Sequence, residues 1–348
     1  MLEAGAVAAF PPSCPADVFR SDFLFRVLCR AVAPQRACCA APSGSRARSD
    51  ASPSPDDFRH PLDRENTRLL RALPGLDSLA RSLLSSTAEQ LLVLENVGSA
   101  VRVSERQLPT LHRAISRAAS VLGLERAPDL YVKQAPSPNA YTLGVGGRAP
   151  FVVVHTALLE LLSEEEVVAV LAHECAHIRC EHGVYLTLAN VLADGAASAP
   201  GLGALLRGGM EDALARWLRA AELTCDRAAL LVVGEPRVVV SALMKLAGGS
   251  PSLATELDPD AFLQQARLLD EASATPLGWW LRNAATRQLS HPLPVLRARE
   301  VDTWASSGEY QRVAQAYAAR QPGANASEDG RSSGDAQSGG PADLAAAI

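Results

Sequence analysis

Apolar residues recur at spacings of three and four through most of the middle of the chain, the mark of helices that bury one stripe. The first run is Leu69, Leu70, Leu73, Leu76, Leu79 and Leu83, with Pro74-Gly75 placed to break or kink it. A second predicted helix opens at Ser104, where Gln107 completes a capping box, and turns Leu108, Leu111, Ile115 and Leu122 inward. Short β-rich runs follow at residues 129–133, 140–145 and 150–155, the last two joined across Gly146-Gly147 as a hairpin. Ser163 with Glu166 forms another capping box and opens a long helix through Val167, Val170, Leu171 and Ile178. Further helices are expected over residues 212–233, closed by Gly234, over 237–246 and 260–270, and from Pro292 onward. The pattern predicts an α+β fold, mainly helical, with one small sheet.

The two ends lack that pattern. Residues 23–49 carry Arg26, Arg30, Arg36, Arg46 and Arg48, no acid, and much Ala, Ser and Pro. That stretch reads as an organelle transit peptide or, with Glu3, Asp17 and Asp22 ahead of it, as an unstructured leader. Residues 321–348 are mostly Gly, Ser, Ala and Asp without apolar period, so nothing there offsets the entropy of ordering. The expected organisation is a leader over 1–55, one catalytic domain over 56–320 and a disordered tail over 321–348.

Across 348 residues the net charge is -5, which gives no basic field for gripping phosphate backbones and argues against nucleic acid as a partner. The seven cysteines, at 14, 29, 38, 39, 175, 180 and 225, form no CxxC pair, so the core is expected to hold thiols and suit a reducing compartment. Residues 183–206 approach the length of a membrane span, but Asp194, Gly195, Pro200, Gly201 and Gly203 favour a hydrophobic hairpin that packs on the core or dips into one leaflet.

The chemistry concentrates in His173-Glu174-Cys175-Ala176-His177. Four residues on a helix separate two imidazoles by about 40° and about 6 Å, so both can reach one ion. Glu174, one position after the first imidazole, can hold a metal-bound water and take its proton. Catalytic zinc takes three protein ligands, so a third donor must come from a downstream His, Asp or Glu. Glu222 and Asp226 are four apart on the predicted helix 212–233, which suits one carboxylate as ligand and the other as orienter of a ligating histidine through its free ring nitrogen. His291 and Arg297 are candidates to converge on the site as donors to the oxyanion formed when water attacks a peptide carbonyl. His182 lies too far along its helix to share the ion, His155 reads as a packing or surface residue, and Cys175, Cys180 and Cys225 read as small hydrophobes.

The motif HECAH, followed by ELTCD and then by Ser290-His291-Pro292, resembles the gluzincin metallopeptidases of family M48. The segments DDFRHPLDRENTRLLRALPGL, DLYVKQAPSPNAYTLGVGG and RWLRAAELTCDRAALLV are similar to the plastid branch of that family in plants and algae, which is associated with plastoglobules and thylakoid lipid. The resemblance implies a zincin-like fold with one Zn2+ per chain on His173, His177 and Glu222. It further implies Glu174 as base, Asp226 as the partner of a ligating histidine, and His291, with Arg297, as transition-state donor. The strand with Asn139, Ala140 and Tyr141 would form the cleft edge and pair with extended substrate. The expected activity is zinc-dependent hydrolysis of peptide bonds in plastid proteins, with protein or peptide substrates and peripheral contact with membranes or lipid bodies. A zinc-stabilised, non-catalytic scaffold on such lipid surfaces is the alternative, and a zinc hydrolase of lipids or small amides is a third reading.

Overall fold

The computed structural model describes residues 54–71, 94, 98–143, 150–184, 203–278 and 291–318. A 3-10 turn at Pro55–Asp57 leads into α1 (Pro61–Arg71). Then come β1 (Val101–Arg102), α2 (Pro109–Val121), β2 (Asp129–Lys133), β3 (Ala140–Leu143), β4 (Phe151–His155) and α3 (Thr156–Leu161). The helical half follows as α4 (Glu164–Arg179), α5 (Gly203–Val233), α6 (Pro236–Gly248), α7 (Pro259–Ala272), α8 (Pro294–Ala305) and α9 (Gly308–Ala318). The protein is therefore mainly helical with one small mixed sheet of order β1-β2-β4-β3. The β2–β4 pair is parallel and β3 runs antiparallel to β4, with Ala140 opposite Val154 and Leu143 opposite Phe151.

Side chains alternate across these strands, which gives the sheet two different faces. Leu130, Val132, Val152 and Val154 join the helices in the main core, with Ala140 packed against it. Tyr131, Phe151 and Val153 form a separate cluster, with Tyr141 and Leu143 packed on it. β3 ends the sheet, so one of its edges is left without a strand partner among the described residues.

α4 is buried on most of its circumference, from Val167 and Val168 to Cys175 and Ala176. A helix so enclosed needs small residues where neighbours approach, and Ala169, Ala172 and Ala176 are all 2% exposed or less. Its start is fixed by the predicted capping box: Ser163 N–H donates to Glu166 Oε2 at 2.8 Å and Glu166 N–H to Ser163 Oγ at 3.4 Å. The capping carboxylate is itself buried and receives Ser241 Oγ at 2.6 Å and Lys245 Nζ at 2.7 Å from α6. At the far end Arg59 Nη2 donates to the Cys180 carbonyl at 2.8 Å, placing a cation where the helix dipole is negative. α4 is thus held at both termini by other elements.

Several expectations shift. The second helix starts at Pro109 and not at Ser104, because the Gln107 carbonyl, not its side chain, accepts from Ser104 N–H at 2.8 Å and closes a turn. Leu108 then takes a left-handed φ of 61° and is 40% exposed, not buried. Likewise Pro294, not Pro292, opens α8, with Leu293 before it in the extended conformation that proline imposes. α5 begins at Gly203, nine residues ahead of the expected start. From the leucine run, Leu69 is 62% exposed, because α1 buries Asp63 and Thr67 instead. The rest of that run past Arg71, the hairpin turn, most of residues 183–206, and the leader and tail calls lie outside the described residues. Among the described residues no helix is long and apolar enough to cross a membrane.

Removing Glu166 leaves the Lys245 ammonium largely buried without its carboxylate and also opens the cap. Glu166→Ala is expected to lower unfolding free energy by about 3 kcal/mol in urea titration, as for a broken buried pair. A loss below about 1 kcal/mol would mean that only the local cap is felt.

Candidate metal centre

His173 and His177 sit one turn apart on α4 with their Nε2 atoms 3.2 Å from each other. Glu222, on α5, brings Oε2 to 3.4 Å from His173 Nε2 and Oε1 to 3.4 Å from His177 Nε2. A tetrahedral ion with bonds of about 2.0–2.2 Å holds its ligand atoms about 3.3–3.6 Å apart, so two Nε2 atoms 3.2 Å apart, each 3.4 Å from a Glu222 oxygen, come close to the spacing of a zinc shell. Glu222 Oε2 is buried and makes no well-aligned hydrogen bond, though His291 Nδ1 and Arg297 Nη1 lie 2.8 and 3.4 Å from it, so cationic groups already cluster on this oxygen. Cys225 also approaches, its Sγ falling within 4.8 Å of ring nitrogens of both histidines. Glu222 has an oxygen 3.4 Å from each Nε2, and burial pushes the Cys225 thiol well above its ordinary range, so the carboxylate is the better donor.

The surroundings fix this triad. His173 Nδ1 lies 3.0 Å from Asp226 Oδ1, one turn after Glu222 on α5. Arg297, on α8, donates from Nε to Asp226 Oδ2 and from Nη2 to Oδ1, both at 2.7 Å. Its Nη1 is 3.4 Å from Glu222 Oε2, so the guanidinium faces two buried carboxylates at once. Burial opposes charge on His173, but hydrogen bonds to Asp226 and Glu222 outweigh it and raise its pKa to about 10. Burial would raise both acids, yet the neighbouring histidines hold Glu222 well below the usual carboxylate range, and Arg297 with His173 lowers Asp226.

Glu174 is 8% exposed and lies beside the sheet edge. Thr142 Oγ1 from β3 is 2.6 Å from its Oε2 and 3.2 Å from its carbonyl. Sequence reasoning missed Thr142, although its place two residues after Ala140 put it on the face toward α4. Asn139, Ala140 and Tyr141 lie at the start of β3, where the Asn139 carbonyl accepts from His155 N–H at 2.9 Å. The Tyr141 ring stands on the far face of the sheet, 6.0 Å from the His155 ring. His291, ahead of α8, reaches Glu222 Oε2 with Nδ1 at 2.8 Å while its side chain stays 55% exposed.

His182 was also underrated. α4 ends at Arg179, Glu181 turns the chain with a left-handed φ of 58°, and His182 folds back to place Nδ1 3.1 Å from His177 Nδ1. It does not face the Nε2 side. Its own Nε2 is 3.2 Å from Asp63 Oδ2, and burial lowers its pKa to about 4. No spacing rule flags a histidine that acts from beyond a helix end.

Two imidazoles and a carboxylate converging on one point, with a second carboxylate adjacent, are the arrangement of an HExxH metallohydrolase. The profile of Peptidase family M48 matches residues 105–305. The chain is 59% identical over 258 residues to the plastoglobule-localized metallopeptidase 48, chloroplastic, of Arabidopsis thaliana, covering 74% of this chain and 75% of that one. It is 30% identical over 183 residues to the protease HtpX homolog 2 of Methanosarcina mazei, covering 45% and 61% of the two chains. With a protease HtpX homolog of Ralstonia nicotianae it shares 31% identity over 187 residues, covering 46% and 65%. No solved structure matches. The chain belongs to peptidase family M48 and is a zinc metallopeptidase, which sets aside the scaffold alternative.

In protein stripped of metal, His173 titrates near 10 against 6.5 for an unfolded chain. Its contribution to stability is therefore complete below pH 6.5 and lost as pH rises through about 10. Zinc must displace that proton, so affinity is expected to climb from pH 6 to pH 9 in chelator competition. A flat profile would show His173 already neutral in the metal-free protein.

Proposed function

We propose that His173, His177 and Glu222 hold the zinc ion and that Glu174 is the general base of an endopeptidase acting on chloroplast proteins. The observation that carries this reading is the convergence of His173 Nε2, His177 Nε2 and the two Glu222 carboxylate oxygens, at 3.2–3.4 Å from one another pair by pair. When bound, zinc supplies Lewis acidity to the scissile carbonyl and to the attacking water. Glu174 takes the proton of that water and returns it to the leaving amine. The Thr142 hydroxyl, 2.6 Å from Oε2, fixes the carboxylate's rotamer and keeps the other oxygen for the water.

Substrate would lie extended beside Asn139, Ala140 and Tyr141 along the outer edge of β3 and pair with the backbone groups of Ala140, since the Asn139 carbonyl is taken by His155 N–H of β4. The Tyr141 ring is packed on the opposite face of the sheet from Thr142 and Glu174. His291 serves as the oxyanion donor, poised at the open side of the site. Arg297 is assigned to holding Asp226, since its Nε and Nη2 are both spent there, and not to the oxyanion of bound substrate, for which the sequence made it a candidate.

Localisation in the chloroplast, at plastoglobules, rests on the name of the Arabidopsis relative together with the arginine-rich leader. Peripheral lipid contact is consistent with Leu62 and Leu69, 52% and 62% exposed and two turns apart on α1. The leader over 1–55 and the tail over 321–348 remain part of this proposal.

Glu174→Gln should keep one zinc per chain and lose hydrolysis of an unfolded protein substrate by several orders of magnitude. Wild-type turnover in that variant would place the base elsewhere. His291→Ala should lower kcat and kcat/KM together by on the order of 10²- to 10³-fold, with zinc content and KM unchanged. Zinc loss would make His291 a ligand, and a raised KM alone would make it a binding residue.

A further inference from the structure

We propose that Asp63 and His182 position His177 through a buried relay of hydrogen bonds, so that α1 is part of the zinc site. The inference rests on His177 being a ligand through Nε2. A neutral imidazole that offers Nε2 to a metal carries its proton on Nδ1. The acceptor facing that proton is His182 Nδ1, at 3.1 Å. His182 must then present a lone pair at Nδ1 and carry its own proton on Nε2, which points at Asp63 Oδ2, 3.2 Å away. The proton order is self-consistent from the ligand to the carboxylate, and no other order satisfies both contacts with neutral rings.

Each link is held in place. His182 is 4% exposed and Asp63 fully buried. Asp63 also accepts from Thr224 Oγ1 at 2.8 Å and Trp217 Nε1 at 2.9 Å on α5, from Thr67 Oγ1 at 3.1 Å, and from Arg59 Nη1 at 3.2 Å. The Cys225 thiol, 3.7 Å from His182 Nδ1, is a weak donor to the same lone pair and leaves the order intact. The two ligands thus differ in support: His173 meets a carboxylate directly at Asp226, and His177 meets one through an intervening imidazole. A carboxylate behind a ligating histidine fixes its tautomer and raises its basicity. Asp63 does the same at one remove.

Long-range proton–nitrogen NMR on the zinc-loaded full chain with 15N-labelled histidine reads the tautomers directly. The expected result is a metal-shifted Nε2 with protonated Nδ1 for His177, and protonated Nε2 with unprotonated Nδ1 for His182. A His182 protonated on Nδ1, or on both nitrogens, overturns the relay while leaving the ligand assignment standing. Absence of a metal shift on His177 overturns the ligand assignment itself. In chelator competition, His182→Phe should weaken zinc about 10- to 100-fold, and His182→Asn, whose amide oxygen can replace the Nδ1 acceptor, should restore most of that loss. Wild-type zinc affinity in His182→Phe overturns the proposal.

Discussion

Burying carboxylates around a pair of histidines is the constraint on which the rest of this structure depends. Glu222, Asp226 and Asp63 are each 6% exposed or less. An ion taken out of water loses several kcal/mol unless a partner and hydrogen bonds compensate it. Every one of these acids therefore dictates where another element must go. Asp226 requires Arg297 and so draws α8 across the site, while Asp63 requires Arg59, Trp217, Thr224 and His182 and so draws α1 against α5 and the end of α4. Glu222 gathers His173, His177, His291 and Arg297 around it, with His291 Nδ1 2.8 Å and Arg297 Nη1 3.4 Å from its Oε2.

The same bookkeeping separates what was legible in the sequence from what was not. His173, His177, Glu222 and Asp226 stood out because each pair is four apart, and helical geometry alone puts such pairs on one face. The cap at Ser163 was legible because its box is local, whereas the similar Ser104–Gln107 spacing misled. There Pro109 two residues on can start a helix unaided, and the Gln107 side chain turns away to the Arg102 carbonyl at 2.7 Å. α1 was misread for a different reason. Hydrophobic periodicity assumes that the buried face is apolar, but this helix buries Asp63 and Thr67 and leaves Leu62 and Leu69 in the open. Thr142 was passed over and His182 set aside, since their importance comes from a strand edge and a left-handed turn that bring them back to α4.

Those misread residues change how the extent of the catalytic unit should be drawn. Family resemblance by profile covers residues 105–305, and both zinc-motif histidines and the α5 acids fall inside it. Physical completeness does not stop there. Without the segment before α1, the Cys180 carbonyl at the end of α4 loses Arg59, and without α1 the buried Trp217 Nε1 and His182 Nε2 lose the carboxylate to which both donate. At the other end Tyr317 of α9, 1% exposed, sets its ring edge-on to Phe58 at 6.3 Å. The first and last described elements thus meet behind the site. An enclosed helix such as α4 can present two imidazoles with the tolerance that metal binding demands only if both its ends are fixed, and Arg59, which holds the last carbonyl at its C-terminal end, comes from outside the family's matched span.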